Sequence, residues 1–228
     1  ERGCWFRLHR ARDRSPCVSL DLMQPENIIL GDALEILPGL DFGRYKNPVV
    51  ITDPPWNSNR AYPNYLDNIS DYPGWICKWF KYLPQKKIIF PGLNHWKEYV
   101  VYNPSCLAFW HKRNGHSRGG NFQWSQGDPV MVWGINFSHS NVFEIPVRNG
   151  FLQDPEFKDH PNPQPIELIK LIIGRMRKKP DFILDPFCGT GTVIRAALDF
   201  NIPSLGIEID PISYVMANKR LRQQAFEL

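Results

Sequence analysis

The chain has 228 residues, of which 43% are hydrophobic and 22% are charged. This length suits one domain with a complete hydrophobic core, and the composition excludes disordered and membrane proteins. The formal net charge is +4, but five arginines against two acids in residues 1–14 hold most of it, so a polyanion partner gains little support. No apolar run is long enough to cross a bilayer and nothing at the start resembles a signal peptide, so we expect a cytoplasmic protein.

Cysteine spacing predicts free thiols in a reducing compartment. The five cysteines are far apart and form no C-x-x-C pair, so we expect neither a disulfide framework nor a metal site. Residues 1–22 are rich in arginine and lack periodicity, and we expect a flexible basic extension there. Residues 23–228 are then a single domain.

Apolar runs separated by turn residues predict an α/β domain. Seven strands are predicted, at 27–30, 48–52, 87–90, 106–110, 129–133, 182–184 and 204–207. Helices are predicted at 33–37, 75–80, 165–179, 192–200 and from 211 onward. The first two strands flank a helix and should be parallel, whereas 106–110 and 129–133 have no helix between them and should form an antiparallel hairpin.

The motif Thr52-Asp53-Pro54-Pro55-Trp56 follows a short apolar strand. Its two prolines prevent both strand pairing and an immediate helix, so the chain must leave the sheet abruptly. This puts a carboxylate, a backbone carbonyl and an aromatic ring at the carboxyl end of a strand, where open α/β sheets bind ligands. Asp53 and the Pro54 carbonyl can accept two N–H groups from a planar amino-bearing ring, and Trp56 can stack on that ring. A simple turn with Asp53 as a cap is the alternative.

A second motif, 185–191, places Asp185 after a strand and a Gly189-x-Gly191 turn before a helix. Glycines at such a turn let a nucleotide approach the backbone near a helix N-terminus. Glu208 ends the next strand, about 20 residues on, where an acid can accept hydrogen bonds from both hydroxyls of a ribose. Ile194 stands where a dinucleotide site has glycine or alanine, which favours a compact adenosyl ligand.

Together the motifs resemble those of the DNA amino-methyltransferases, the N6-adenine and N4-cytosine family that uses S-adenosylmethionine. The sequence is similar to this family in D-P-P-W at 53–56, D-P-F-C-G-T-G at 185–191, H-P-N-P-Q-P at 160–165 and G-I-E at 206–208. The catalytic motif precedes the cofactor motif, which resembles the circularly permuted β group. Gln164 departs from the pattern, because the family usually has lysine there, and the loss could weaken cofactor or DNA contact. The segment of about 138–159 that is available for target recognition is short.

The resemblance implies a doubly wound, Rossmann-like mixed sheet of seven strands with the last antiparallel. It implies a catalytic site formed by Asp53, Pro54, Pro55 and Trp56, and S-adenosylmethionine bound by Asp32, His160, Asp185, Phe187, Cys188, Gly189, Thr190, Gly191, Glu208 and Ile209. A helix cap explains Asp32 equally well, and Cys188 is a packing residue rather than a nucleophile because no covalent intermediate is required. For contacts with DNA we expect Asn57, Tyr62, Lys112, Arg113 and Arg118, which lie in two loops flanking the cleft.

Asp53 favours adenine N6, since the family's cytosine N4 enzymes more often carry serine at this position. Three alternatives stay open: a cytosine N4 acceptor in DNA, an adenine in RNA, and a catalytically silent cofactor-binding or DNA-binding subunit. A nicotinamide oxidoreductase is disfavoured by Ile194. The recognition sequence is not encoded in these patterns, and a homodimer or a restriction nuclease partner is open.

Overall fold

The computed structural model describes residues 26–61, 66–113, 117–119, 122–146 and 164–223. Its strands are β1 (Glu26–Leu30), β2 (Pro48–Thr52), β3 (Arg60–Ala61), β4 (Leu66–Asp67), β5 (Lys86–Ile89), β6 (Cys106–His111), β7 (Ser117–Gly119), β8 (Phe122–Ser125), β9 (Gly127–Trp133), β10 (Val142–Glu144), β11 (Phe182–Asp185) and β12 (Ser204–Glu208). Its helices are α1 (Ala33–Ile36), α2 (Tyr72–Phe80), α3 (Gly92–Val100), α4 (Ile166–Arg175), α5 (Thr192–Asp199) and α6 (Pro211–Gln223), and a short 3-10 turn, Leu37–Gly39, follows α1.

Eight strands form one mixed sheet in the order β1-β12-β11-β2-β5-β9-β6-β10, which confirms the predicted α/β class. All neighbouring pairs are parallel except those of β9, which runs antiparallel to both β5 and β6. The predicted hairpin between β6 and β9 is therefore correct. From β2 the chain continues to β5 on one side of the sheet, and from β11 it continues to β12 on the other side. The neighbouring strands β2 and β11 therefore flank the point where the strand order reverses.

The main sheet has one strand more than predicted, and the short pairs β3-β4 and β7-β8 outside it were not predicted. The extra strand, β10, lies at the sheet edge parallel to β6 and buries Phe143 completely. Three residues are too few to display an alternating pattern, so the segment looked irregular in the sequence. The reversed strand is also an interior one, because β9 returns directly from β6 and inserts between β6 and β5.

Both faces of the sheet are covered, which explains why its central strands are continuously apolar. Val49 and Ile51 of β2 face the layer that contains α4 and α5, where Ile169 is fully buried. Val50 points the other way, toward Trp79 of α2 and Tyr99 of α3. The alternation of side chains along one strand thus joins two hydrophobic layers into one domain.

Several helix boundaries differ from the prediction. Helix α2 begins earlier, at Tyr72, because the Asp71 carboxylate accepts a hydrogen bond from the Gly74 backbone N–H at 3.0 Å. Helix α4 ends at Arg175 since Met176 is extended, with ψ of 125°. Helix α3 was not predicted at all. None of the helices within the described ranges is long and apolar enough to cross a membrane.

Candidate active site

A cleft of about 260 Å³ opens at the carboxyl ends of β1, β2, β11 and β12. It lies at the position where the strand order reverses, the usual ligand site of an open α/β sheet. The loops after β2 and β11 form its two sides. Among its lining residues are the predicted residues Asp32, Asp53, Pro54, Pro55, Trp56, Asp185, Phe187, Cys188, Gly189, Thr190, Glu208 and Ile209.

The turn from β11 into α5 forms one side of the cleft. Gly189 and Gly191 have φ of 51° and 77°, a left-handed conformation that favours glycine. A Cβ on Gly191 would lie 3.1 Å from the Cβ of Ala217, so the close approach of α6 also requires glycine there. The local backbone explains both glycines before any ligand is considered.

Glu208 connects this turn to the end of β12. Its carboxylate accepts hydrogen bonds from the backbone N–H groups of Gly189 at 2.7 Å and Asp210 at 2.8 Å. Burial raises the pKa of Glu208, and these two hydrogen bonds oppose the increase. Each oxygen keeps a further lone pair for a donor in the cleft.

Asp185 and Thr52 connect the two sides of the cleft. The Thr52 hydroxyl donates to the Asp185 carboxylate at 2.7 Å, and both side chains are buried. Burial raises the pKa of Asp185 to about 7, while the hydrogen bonds from Thr52 and the Phe187 backbone lower it. Because this pKa is near neutrality, a cationic ligand bound nearby would favour the ionised form of Asp185.

Asp53 has a hydrogen-bond donor on each oxygen. Trp56 Nε1 donates to Oδ1 at 2.6 Å, and Gln164 Nε2 donates to Oδ2 at 2.9 Å. Burial raises the pKa of Asp53 to about 8; the hydrogen bond from Trp56 opposes this increase, the charges of Asp128 and Asp185 add to it, and that of Lys112 opposes it. A displaced pKa in a cleft is typical of a functional carboxylate.

The prolines and the ring of the same motif are also held in place. Trp56 Nε1 lies 3.1 Å from the Phe90 carbonyl, and its ring packs on Gly92, where an added Cβ would approach within 2.8 Å. The Pro55 carbonyl accepts a hydrogen bond from the Tyr72 hydroxyl at 2.7 Å. No donor to the Pro54 carbonyl is present in the described part of the chain, so this oxygen remains available to a ligand.

Asp32, Phe187 and Cys188 have structural contacts as well. Asp32 accepts a hydrogen bond from the Leu34 backbone at 2.8 Å and caps α1, as the alternative interpretation required. The Phe187 ring packs between Trp75 and Trp79 at centroid distances of 5.4 and 5.1 Å. Cys188 is buried, and its thiol pKa is raised well above the ordinary value, which is consistent with packing rather than nucleophilic chemistry.

Two of the predicted nucleic-acid contacts do not fit the structure. The Asn57 side chain bonds to Ile69 in both directions, accepting at 2.5 Å and donating at 3.1 Å, so its amide closes the loop after the catalytic motif. Asp67 fixes the same loop through the backbone N–H groups of Asn57 and Ser58, both at 2.9 Å. Lys112 is 5% exposed, pairs with the buried carboxylate of Asp128 and lies over the Trp110 ring, which keeps it from phosphate.

Arg113 is exposed next to this ion pair and remains compatible with DNA contact. Arg118 lies in β7, but its side chain is outside the described part of the structure, as are Tyr62, His160, residues 1–22 and residues 147–159. Ser58, Asp67, Ile69 and Trp75 are among the lining residues that the sequence did not predict. Gln164 also lines the cleft, and the sequence had marked it only as a departure from the expected lysine.

Residues 108–219 match the sequence model of the DNA methylase family. This segment, just under half of the chain, is similar to DNA methylases. Type II methyltransferase M.HindIII of Haemophilus influenzae is 32% identical over 101 residues, which cover 43% of this chain and 31% of that protein. DNA adenine methyltransferase YhdJ of Escherichia coli is 36% identical over 81 residues, or 36% of this chain and 27% of that protein. The chain therefore aligns with less than a third of the length of these curated relatives.

Solved structures share the fold of this chain. The M1.HpyAVI–SAM complex has a TM-score of 0.60 and 21% identity, covering 86% of this chain and 98% of that one. PvuII DNA methyltransferase, described as cytosine-N4-specific, has a TM-score of 0.61 and 17% identity, covering 83% and 85% of the two chains. These similarities confirm the Rossmann-like methyltransferase fold.

Proposed function

We propose that this protein transfers the methyl group of S-adenosylmethionine to the exocyclic N6 of an adenine in DNA. The observation that carries the proposal is the arrangement of one cleft. Asp53 with the free Pro54 carbonyl forms one side, and the Gly189 turn with Glu208 forms the other. Donor and acceptor of a group transfer need such proximity, because positioning is the main task when the donor is already reactive.

The residues on the Glu208 side fit S-adenosylmethionine. Glu208 has lone pairs for ribose hydroxyls, and Gly189, which lines the cleft, leaves the backbone there uncovered by a side chain. Ile209 is 54% exposed and offers an apolar surface for a base ring. The bound cofactor would supply an electrophilic methyl group, and Asp185 would interact with its cationic portion.

The residues on the Asp53 side fit an exocyclic amino group. Such a nitrogen is a poor nucleophile because its lone pair is conjugated with the ring. If Asp53 and the Pro54 carbonyl accept its two hydrogens, the pyramidal nitrogen that attacks a methyl group is favoured. The base must leave the duplex to reach them, and the face of Trp56 can replace part of the lost stacking.

Adenine is the proposed acceptor because position 53 is an aspartate, whereas cytosine N4 enzymes of the family more often have serine. Cytosine N4 is the second candidate, since a protein of the same fold, the PvuII enzyme, is cytosine-N4-specific. Both bases present an amino group of the same geometry, so the cleft contacts described above suit either. For DNA outside the cleft, exposed Arg113 is the proposed phosphate contact, and the segment at about 138–159 is the proposed reader of the sequence.

The test is transfer of a labelled methyl group from S-adenosylmethionine to unmethylated DNA, followed by digestion to nucleosides. We expect N6-methyladenine from the wild type and a rate at least about 100-fold lower for Asp53→Ala. Exposed Asp41 provides the matched control, because Asp41→Ala removes a carboxylate far from the cleft. If the product is N4-methylcytosine, the acceptor is cytosine N4, and the same mechanism applies to that base.

A parallel reaction with single-stranded RNA tests the remaining acceptor class. If the wild type binds S-adenosylmethionine but methylates neither nucleic acid, the proposed reaction is wrong. An Asp53→Ala variant that keeps the wild-type rate would remove the carboxylate from the mechanism.

A further inference from the structure

Asp53 is held from two sides by elements that are far apart in the chain. Trp56 belongs to the same loop as Asp53, but Gln164 is 111 residues away and approaches the other carboxylate oxygen at 2.9 Å. A carboxylate group whose two oxygens each accept a separate N–H donor has a fixed plane. Rotation about the Cβ–Cγ bond of Asp53 would break both hydrogen bonds.

The donor itself is well anchored. Gln164 directly precedes Pro165, which is buried, and helix α4 follows. Leu168 and Ile169 on the first turns of α4 are fully buried in the hydrophobic layer that also packs against β2. The Gln164 backbone is therefore positioned by the same core that positions the strand carrying Asp53.

We propose that Gln164 is a positioning residue that, together with Trp56, fixes the plane of the Asp53 carboxylate so that its remaining lone pairs face the acceptor amino group. This inference rests on the proposed methyl transfer. Oδ2 has two lone pairs, and Gln164 occupies one of them, so the second remains for a hydrogen of the base. Gln164 acts through Asp53 and is not assigned a contact with the cofactor.

The neutrality of Gln164 has a chemical consequence. A lysine at this position would bring a cation within about 3 Å of Asp53 and stabilise its ionised form strongly. The Gln164 carboxamide donates a hydrogen bond without that charge. Burial and more distant charged groups therefore set the pKa of Asp53. The charged and titratable groups that influence Asp53, or are influenced by it, are Asp128, Asp185, Lys112, Tyr72 and Tyr99.

The test measures Asp53 directly, by NMR titration of protein with carbon-13 in the aspartate carboxyl groups. The Asp53 signal is assigned from its absence in Asp53→Asn. We expect Gln164→Leu to raise the Asp53 titration midpoint by about 1 pH unit, because one donor to the ionised form is lost. Gln164→Lys should lower it by at least about 1 pH unit. Gln85 is exposed and directly precedes β5, at the amino ends of the strands that bear the cleft at their carboxyl ends. Gln85→Leu should therefore leave the Asp53 midpoint unchanged.

A second measurement separates positioning from cofactor binding. At saturating S-adenosylmethionine and DNA, Gln164→Leu should slow single-turnover transfer 10- to 100-fold, with the cofactor Kd within about twofold of wild type. An unmoved Asp53 midpoint in a folded Gln164→Leu variant overturns the proposal, and so does a loss of cofactor affinity as large as the loss of rate. If the wild type transfers no methyl group, the proposed function fails, while the titration still decides whether Gln164 controls Asp53.

Discussion

Asp53 should lower the stability of the folded protein at alkaline pH, and Asp53→Asn should restore it. The folded chain holds the Asp53 proton more tightly than the unfolded chain does, because burial raises the pKa from 3.8 to about 8. The contribution of Asp53 to stability is therefore greatest below pH 4 and is lost progressively as the pH rises to 8. That difference corresponds to at most about 6 kcal/mol. Each pH unit of this shift contributes about 1.4 kcal/mol, so we expect the loss to accumulate steadily between pH 4 and pH 8.

The assay is urea unfolding of wild type and Asp53→Asn at pH values from 4 to 9. The free energy of unfolding of the variant, relative to wild type, should increase over this range and level off near pH 8.5. Asparagine preserves the shape of the side chain and can still accept the hydrogen bond from Trp56. Asp41→Asn, at an exposed site, is the control and should show no such trend. A difference that is constant with pH, or that decreases as pH rises, would refute the assignment of a raised pKa to Asp53.

Two further predictions concern the packing around the acceptor side. Gly92→Ala should destabilise the protein by about 2 kcal/mol and slow transfer, because φ is 69° and the new Cβ would lie 2.8 Å from the Trp56 ring. Gly134→Ala, also at positive φ but away from the cleft, should destabilise without slowing transfer, and equal slowing in both would contradict the role of Trp56. Lys112→Met should lower the free energy of unfolding by about 3 kcal/mol, because the Asp128 carboxylate stays buried without its cation. Adding Asp128→Leu should recover most of this loss. Urea unfolding of the single and double variants measures both effects, and a further loss in the double variant would contradict the buried pair.

The central part of the fold could be predicted from sequence because its signals are local. The run of 48–51 is apolar and two prolines follow at 54 and 55, which predicts a buried strand with an abrupt exit. Gly191 is also a local signal, because glycine adopts the left-handed conformation that the turn before α5 requires. These local requirements fixed the two loops on which the candidate site is built.

The missed features depend on contacts that are distant in sequence. Nothing near Gln164 indicates that its amide meets a carboxylate 111 residues earlier. Asn57 looked like an exposed polar residue of a binding loop. Its side chain instead bonds to the backbone of Ile69, which only the folded loop brings within reach. Lys112 belongs to a cationic run, and its burial follows from Asp128 on the neighbouring strand, which sequence spacing alone could not pair with it.

The side-by-side arrangement of β2 and β11 affects the order in which a ribosome can produce a working protein. Thr52 and Asp185 are 133 positions apart and nevertheless share a hydrogen bond at the centre of the sheet. A nascent chain that has emerged as far as α4 already contains Asp53 and Trp56, but it lacks both β11 and the turn that holds Glu208. Such long-range pairing is slow to form, so the acceptor loop must await the synthesis of β11 and β12 before it has a donor site to face.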